Sequence, residues 1–256
     1  MKKKVPCILL VNDDGVYAPG IAAMYHELIK IGDVTVVAPE SERSSISQAI
    51  TLYHPLYHRR ISVRGEFSAH AISGTPADCV KFGVTMILKK KPNLVVSGIN
   101  DGSNDGCSVF YSGTVGAARE GALMGIPSMA VSLDSFGATC FRNAAKVGKK
   151  MAQWVFAHQL PLGTFLNINV PDVEAKKIKG LRWTSQCRVP IHGVFKKKKA
   201  PSGKTYYWLT GRPPAGKKEG DTDSYLLKKG YVVVAPIHCD ATDHDFLGLE
   251  KGRILL

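Results

Sequence analysis

The sequence predicts an α/β fold in which a mainly parallel sheet carries helices on both faces. Short apolar runs alternate along the chain with longer segments of helical periodicity, which is the order expected of parallel sheets. The composition is that of a globular protein, with 45% hydrophobic and 21% charged residues, so disordered and fibrous classes are excluded. The length of 256 residues fits one α/β domain, with one large core or a core and an appendage.

The predicted elements follow from apolar runs and helix signals. Ile8 begins a short apolar run that is typical of a buried strand. Thr75 is a good helix cap, because Pro76 follows at the first helical position and Asp78 in the first turn. Gly113 opens a helix rich in small residues. The predicted elements are strand 8–11, helix 21–31, strand 34–38, a helix from 76, strand 94–97, helix 113–124, strand 128–132, helix 144–157 and strand 165–170.

The net charge of +13 is concentrated in one stretch of the chain. Residues 1–134 hold 13 Lys and Arg against 12 Asp and Glu, whereas residues 176–229 hold 15 against 3. That second stretch contains Lys196–Lys199 and several prolines and glycines, which are turn signals. We therefore expect a core (1–175), a basic extended arm or set of hairpins (176–229), and a strand and helix that return to the core (230–256).

Absent motifs exclude several classes of protein. The sequence has no GxxxxGK[ST], no GxGxxG after the first strand and no GxSxG, so P-loop NTPases, dinucleotide-binding enzymes and α/β-hydrolases are not indicated. The apolar run after the basic N-terminus ends at Val11, too short for a signal peptide, and no run approaches a membrane span. Six scattered cysteines without a CxxC pair fit reduced thiols. We expect a cytoplasmic protein without a membrane partner.

Three polar loops follow predicted strands, and these loops meet at one edge of a parallel sheet. Asp13 and Asp14 follow the first strand, Ser44 lies after the second, and Asn100 after the strand at 94–97. Two adjacent carboxylates repel each other, and a divalent cation would offset that cost. Asp13, Asp14, Ser44 and Asn100 offer the oxygen ligands that Mg²⁺ and Mn²⁺ prefer. The alternative is a polar turn that only caps the first helix.

Ser112-Gly113-Thr114 opens a predicted helix and is a candidate phosphate site. A helix N-terminus offers free backbone N–H groups and a partial positive charge. The alternative here is simple N-capping by a hydroxyl. Ser73-Gly74-Thr75 is a second site of the same type.

Five short motifs follow one another along the chain. They are Asn12-Asp13-Asp14-Gly15, Ala38-Pro39-x-x-Glu42-Arg43-Ser44, Ser73-Gly74-Thr75-Pro76-Ala77-Asp78-Cys79-Val80, Ser97-Gly98-Ile99-Asn100 and Ser112-Gly113-Thr114-Val115. Further matches extend through 166–171 and 222–223 to 230–232. Together they resemble the SurE (survival protein E) family of metal-dependent nucleotidases over most of the chain, while the Lys-rich run looks peculiar to this sequence.

The resemblance implies a Rossmann-like three-layer fold whose extended C-terminal, β-rich arm exchanges between subunits to form dimers or tetramers. It also implies a phosphomonoesterase that acts on nucleoside 5′- and 3′-monophosphates, with exopolyphosphatase activity in some members. One divalent ion per subunit, Mg²⁺ or Mn²⁺, is implied at the positions of Asp13, Asp14, Ser44 and Asn100, the set that the polar loops also predict.

Metal-activated water is the predicted nucleophile, because no Ser, Cys or Asp stands with a dedicated base. Asp13 or Asp14 positions or deprotonates that water, and the sequence leaves open which. Asn100 is the third predicted catalytic residue and holds the phosphate. The backbone amides that open the helix at Gly113 stabilise the transition state. The predicted phosphate-binding residues are Asn12, Ser112, Gly113 and Thr114.

A different class of function remains an alternative. The basic arm (176–229) is also typical of proteins that bind nucleic acid or other polyanions, because Lys and Arg neutralise phosphates. We favour the enzyme, with no nucleic acid as primary partner, because the polar loops would otherwise have no purpose.

Overall fold

The computed structural model describes residues 5–138, 140–190, 193–210 and 220–251, and it confirms the predicted α/β fold. Eleven strands and six α-helices lie within these residues. The strands are β1 (Cys7–Val11), β2 (Asp33–Pro39), β3 (His58–Val63), β4 (Phe67–Ile72), β5 (Leu94–Asp101), β6 (Ser128–Asp134), β7 (Thr164–Pro171), β8 (Leu181–Trp183), β9 (Val194–Lys199), β10 (Thr205–Thr210) and β11 (Val232–His238). The helices are α1 (Pro19–Leu28), α2 (Pro76–Phe82), α3 (Gly113–Leu123), α4 (Arg142–Ala157), α5 (Asp223–Lys228) and α6 (His244–Glu250).

Nine strands form one sheet in the order β3-β4-β2-β1-β5-β6-β7-β11-β8. The six strands from β4 to β7 in that order are parallel, whereas β3 and β11 run antiparallel to their neighbours β4 and β7. The strand order reverses at β1, which lies between β2 and β5. The loops that leave β1 and β5 therefore diverge, and they open the crevice in which α/β sheets bind ligands.

Helices cover both faces of the sheet and make three layers. Ile8 and Leu10 of β1 pack in the cluster that contains α1 and α4, and Leu9 and Val11 pack in the cluster that contains α2. All four side chains are fully buried, which explains why β1 is a continuous apolar run rather than an alternating one. No helix in the described part of the chain is long and apolar enough to cross a membrane.

Each of the nine predicted elements is present, with shifted ends. The strand predicted at 94–97 continues to Asp101, so Asn100 lies in β5 and not in a loop. A register shift between Gly98 and Asn100 produces this difference, because the bulge lets pairing with β6 resume beyond it. The edge hairpin β3–β4 was not predicted as two strands. The first residues of β3 are exposed and basic, so the sequence there lacks the alternation of apolar and polar residues that indicates a strand.

The basic arm contains a hairpin that lies outside the main sheet. Strands β9 and β10 pair only with each other among the described residues, and Lys196, Lys197 and Lys198 lie opposite Trp208, Tyr207 and Tyr206. This agrees with the expectation of hairpins in the arm. Strand β8, from the same stretch of sequence, pairs with β11 in the main sheet. Pro213, Pro214 and the basic residues at 212, 217 and 218 lie outside the described residues.

Gly20 lets the start of α1 approach the bulge of β5. A Cβ atom at position 20 would lie 2.0 Å from the carbonyl oxygen of Ile99, a backbone atom that cannot rotate away. The first turn of α1 is thus fitted against the backbone that precedes Asn100.

We predict that Gly20→Ala destabilises the protein by about 1–3 kcal/mol, because the added methyl forces this backbone contact apart. Urea unfolding measures the change. Gly248→Ala is the matched control: it is also a helical glycine, but a Cβ there meets nothing within 4 Å, so no loss is expected. Equal stability of the two variants would contradict the prediction.

Candidate active site

Asp13 is held at the end of β1 by the N-terminus of α3. Its side chain is 3% exposed and its carboxylate accepts a hydrogen bond from the Thr114 hydroxyl. A Cβ at Gly113 would lie 2.9 Å from the Cβ of Asp13, so glycine allows the helix start to come this close. The Asp13 carbonyl oxygen accepts from the N–H of Arg43 at 2.7 Å, which fixes the loop after β2 beside it.

Asp13 and Asp14 form an electronegative pair. Burial raises the pKa of Asp13 above its usual range, while hydrogen bonds from Thr114 oppose that rise. Burial, and then the charge of Asp13, raises the pKa of Asp14 to about 7. Asp14 accepts a hydrogen bond from the N–H of Asp101 at 3.3 Å, and the Glu42 carboxylate adds further repulsion to both.

Asn100 and Ser44 contribute neutral oxygens to the same place. The Asn100 amide nitrogen donates to the carbonyl oxygen of Gly102 at 2.7 Å, which leaves the amide oxygen for a ligand. The Ser44 hydroxyl donates to the Glu42 carboxylate at 2.5 Å. Asp13, Ser44 and Asn100 all line one pocket.

The predicted phosphate-binding residues divide into two groups. Ser112 lines the pocket and also caps α3, since its hydroxyl oxygen accepts from the N–H of Val115 at 3.1 Å. Gly113 follows it at the helix start. Thr114 and Asn12 are fully buried and are not part of the pocket wall. Thr114 bonds Asp13, and the Asn12 amide nitrogen donates to the carbonyl oxygen of Gly15 at 2.8 Å, so both support the site from behind.

The pocket has a volume of about 610 Å³, within the range of small-molecule sites. Several residues of its wall were not singled out from the sequence: Ser45, Asp101, Gly102, Ser103, Asn104, Ser108, Tyr111, Phe136, Gly193 and Leu209. Those at 101–104 lie in the polar stretch that marked Asn100, and Tyr111 precedes Ser112. Nothing in the sequence indicates Phe136 or Leu209, because the loop after β6 and strand β10, in which they lie, are distant in the sequence from Asp13.

A buried polar network connects the stretch after β5 with the arm. The Asp223 side chain is fully buried and accepts from the N–H groups of Gly106 at 2.9 Å and Cys187 at 2.8 Å. The Asn169 side chain accepts from the N–H of Asn104 at 2.7 Å. Asp223 is also the first residue of α5.

The donor set suits a hard divalent cation. Within the described residues no Lys or Arg side chain forms an ion pair with Asp13 or Asp14, so their mutual repulsion has no protein counter-charge. No group of three or more His, Cys, Asp or Glu side chains with metal-binding geometry occurs in that part of the chain. Two carboxylates, an amide and a hydroxyl match Mg²⁺ or Mn²⁺, which keep several water ligands, and not a structural zinc site.

Comparison with known proteins identifies the family of this chain. The family model described as Survival protein SurE matches residues 8–192. The chain belongs to the SurE family. It is 45% identical over 240 residues to 5′-nucleotidase SurE of Syntrophobacter fumaroxidans, covering 94% of this chain and 96% of the relative. It is 43% identical over 246 residues to 5′-nucleotidase SurE of Thermosipho melanesiensis, covering 96% of each.

A solved SurE structure has the same fold. The crystal structure of the SurE protein from Aquifex aeolicus superposes with a TM-score of 0.84 at 39% identity, covering 96% of this chain and 98% of that one. The family and the Rossmann-like fold that the motifs predict are therefore confirmed.

We predict that Asp14→Asn stabilises the protein in chelator at pH 8. A pKa raised in the folded state favours folding below the unfolded value of ~4, and this contribution is lost as pH rises through about 7. The variant should therefore be about 1–3 kcal/mol more stable than wild type at pH 8 and nearly equal at pH 4.

Urea unfolding at the two pH values measures this difference. Asp33→Asn, at an exposed position at the start of β2, is the matched control and should show no such gain. Mn²⁺ should stabilise the wild type and act much less on Asp14→Asn, since binding to the folded state alone adds stability. A wild type that is as stable as Asp14→Asn at pH 8 in chelator would contradict the prediction.

Proposed function

We propose that this chain is a phosphomonoesterase that hydrolyses nucleoside 5′- and 3′-monophosphates to nucleoside and phosphate. Curated relatives 41–45% identical over nearly the whole chain are named 5′-nucleotidase SurE. The observation that carries the proposal is one pocket in which Asp13, Ser44 and Asn100 meet Ser112, the N-cap of α3. Exopolyphosphatase activity belongs to the same proposal, since polyphosphate presents the same terminal group.

The proposal includes one divalent cation per subunit, Mg²⁺ or Mn²⁺. Asp13, Asp14, Ser44 and Asn100 would hold it. When bound, such an ion lowers the pKa of water and neutralises charge on a phosphoryl oxygen.

The side chains of the protein position the reactants and move the proton. A carboxylate of the Asp13–Asp14 pair accepts a proton from the attacking water, whose oxygen bonds to phosphorus as the ester P–O bond breaks. The leaving oxygen of the nucleoside takes up a proton from solvent water, and the carboxylate later returns its proton to solvent. Thr114 acts through Asp13 by holding its carboxylate in place.

Groups at the start of α3 bind the phosphoryl oxygens. The Ser112 hydroxyl accepts from Val115, so its own proton remains free to donate to phosphate. The N–H of Gly113, which opens the helix, and the partial positive charge of the helix add to this. These donors stabilise charge that develops in the transition state.

The arm supports a proposal of self-association to a dimer or tetramer, with the chain divided into the core (1–175), the arm (176–229) and the C-terminal return (230–256). In β9 and β10, Phe195, Tyr207, Trp208 and Leu209 are each about 60% exposed. Exposed apolar side chains of this density mark an interaction surface. All six cysteines are free thiols, which supports the expectation of a cytoplasmic protein.

Binding of nucleic acid or another polyanion through the arm is a second candidate function. The lysines of β9 lie opposite aromatic residues of β10, so charge and stacking faces occur side by side. That combination is typical of surfaces that bind single strands.

Asp13→Ala and a variant with Lys196–Lys199 replaced by Gln separate the two functions. The enzyme predicts that release of phosphate from AMP stops in chelator, returns with Mg²⁺ or Mn²⁺, falls roughly 10²–10⁴-fold in Asp13→Ala and persists in the Gln variant. Full activity of metal-free Asp13→Ala would exclude the mechanism.

The polyanion alternative predicts the reverse pattern. RNA binding measured at two salt concentrations would survive Asp13→Ala and disappear in the Gln variant, with a salt slope of about −0.7 per phosphate neutralised.

Hydrolysis of polyphosphate and of AMP by the Gln variant tests whether the arm helps to bind longer substrates. Loss of a purely structural arm would change both activities equally or neither.

We predict that Tyr206→Ser/Trp208→Ser shifts the protein to a smaller assembly. Tyr206 and Trp208 lie on the opposite face of β10 from Leu209, which lines the pocket, so another subunit can pack on this face without touching the pocket wall. Sedimentation velocity measures the assembly. Tyr53→Ser removes an aromatic that is 93% exposed outside the arm and should leave the assembly unchanged. A monomeric wild type would refute self-association.

A further inference from the structure

Asp223 places a buried carboxylate beside the pocket, and the proposed phosphate chemistry does not use it. Its side chain is fully buried, and no Lys or Arg side chain forms an ion pair with it within the described residues. Burial raises the pKa of this carboxyl, and hydrogen bonds from the N–H groups of Gly106, Cys187 and Ser224 oppose that rise. A buried charge is costly without such bonds, so the three donors are held firmly in place.

The two oxygens of the Asp223 carboxylate bind different segments of the chain. Oδ1 accepts from the N–H groups of Cys187 at 2.8 Å and Ser224 at 2.7 Å. Oδ2 accepts from the N–H of Gly106 at 2.9 Å. One oxygen therefore joins the arm to the start of α5, and the other holds the segment that follows β5.

Gly106 is fixed by the arm on more than one side. Its φ of +53° lies in the left-handed region that favours glycine. Its carbonyl oxygen accepts from the Gln186 side chain at 3.0 Å. A Cβ at this position would lie 3.0 Å from the Ser224 hydroxyl oxygen and 3.3 Å from the carbonyl oxygen of Cys187. The position of Gly106 is thus determined by residues that lie 80 or more positions later in the chain.

Gly106 begins a short 3₁₀-helix, Gly106–Phe110, which leads to the phosphate end of the pocket. Ser108 in this helix lines the pocket, and its carbonyl oxygen accepts from the N–H of Ser112 at 3.1 Å. Ser112 lines the same pocket and caps α3. A displacement of Gly106 is therefore passed through this hydrogen-bonded turn to both serines.

We propose that Asp223 is a positioning residue for phosphate binding, which acts through Gly106 to hold Ser108 and Ser112 at the pocket wall. This inference rests on the proposed function and adds a residue of the arm to it. Asp223 is not part of the pocket wall, so its effect is on geometry alone. Donors that are already in place stabilise developing charge without reorganisation, and a misplacement of about 1 Å can cost roughly 10²-fold in rate.

Asp223→Asn tests the contact with Gly106 selectively. The amide keeps one oxygen acceptor and replaces the other by an NH₂ donor. Oδ1 accepts from Cys187 and Ser224, whereas Oδ2 accepts from Gly106, so the amide oxygen should stay with the two donors. The NH₂ group then faces the N–H of Gly106, and the contact that holds the pocket wall is lost while the arm stays attached.

We expect Asp223→Asn to lower kcat for AMP roughly 10- to 100-fold and to raise the inhibition constant of inorganic phosphate roughly 3- to 30-fold. A partly unfolded population lowers kcat but leaves this inhibition constant unchanged, so a purely structural role does not affect it. Stabilisation by Mn²⁺ against urea should stay as in wild type, because the Asp13–Asp14 pair is held by other contacts.

Gln186→Ala is a second variant that removes a contact of the same glycine. The Gln186 side chain is only half-buried, so its loss should leave the fold intact. It should raise the inhibition constant of phosphate roughly 2- to 10-fold, since it removes one hydrogen bond. Asp221→Asn is the matched control: its side chain is exposed, two positions before Asp223, and both kinetic constants should equal those of wild type.

An unchanged inhibition constant in both Asp223→Asn and Gln186→Ala would overturn the positioning role and leave the proposed function intact. Loss of the Mn²⁺ effect in Asp223→Asn would also overturn it, since the damage would then extend beyond the phosphate end. Where Asp223→Asn does not fold, the inhibition constant of Gln186→Ala decides alone. A wild type that releases no phosphate from AMP would instead overturn the proposed function.

Discussion

The site depends on the burial of two neighbouring carboxylates at the end of the first strand. Asp13 and Asp14 lose solvent, repel each other and have no Lys or Arg ion pair within the described residues. Such an arrangement costs stability, and neighbouring groups reduce that cost only in part. Thr114, at the start of α3, donates a hydrogen bond to Asp13, and the N–H of Asp101 donates one to Asp14. A cation bound by the carboxylates of Asp13 and Asp14 would offset the repulsion that remains between them.

The topology explains why this pair can be surrounded from so many sides. Because the strand order reverses at β1, the chain leaves β1 and β5 in diverging directions, and α3 can point its N-terminus into the gap. Glycine allows close approach at Gly20 against Ile99 and at Gly113 against Asp13. Both contacts place backbone where side chains would otherwise stand, so the site is built by steric fit as much as by charge.

The sequence predicts the site residues whose positions follow from local structure. It does not predict the roles of residues that depend on contacts between distant segments. Asp13, Ser44 and Asn100 follow or end strands, so parallel topology alone brings them together. Thr114 was expected to bind phosphate, yet its hydroxyl bonds Asp13, 101 positions away. Only tertiary packing determines that choice, since a threonine at a helix start can cap, bind a ligand or support a neighbour. Phe136 and Leu209 carry no signal, because a single apolar residue after a strand and a leucine in an exposed hairpin resemble many others.

The arm is physically connected to the site and is not a remote appendage. The Asp223 carboxylate bonds Gly106, just beyond the pocket wall, and Cys187, at the beginning of the described arm. Leu209 lines the pocket from the hairpin that also carries Lys196–Lys199. The hairpin that lines the pocket thus belongs to the stretch with the excess positive charge, whereas residues 1–134 are nearly neutral. A positive field beside a narrow opening raises the local concentration of anions, and salt weakens the effect. We propose that the charge of the arm acts on substrate encounter, while Asp13 and the start of α3 act on the bond that breaks.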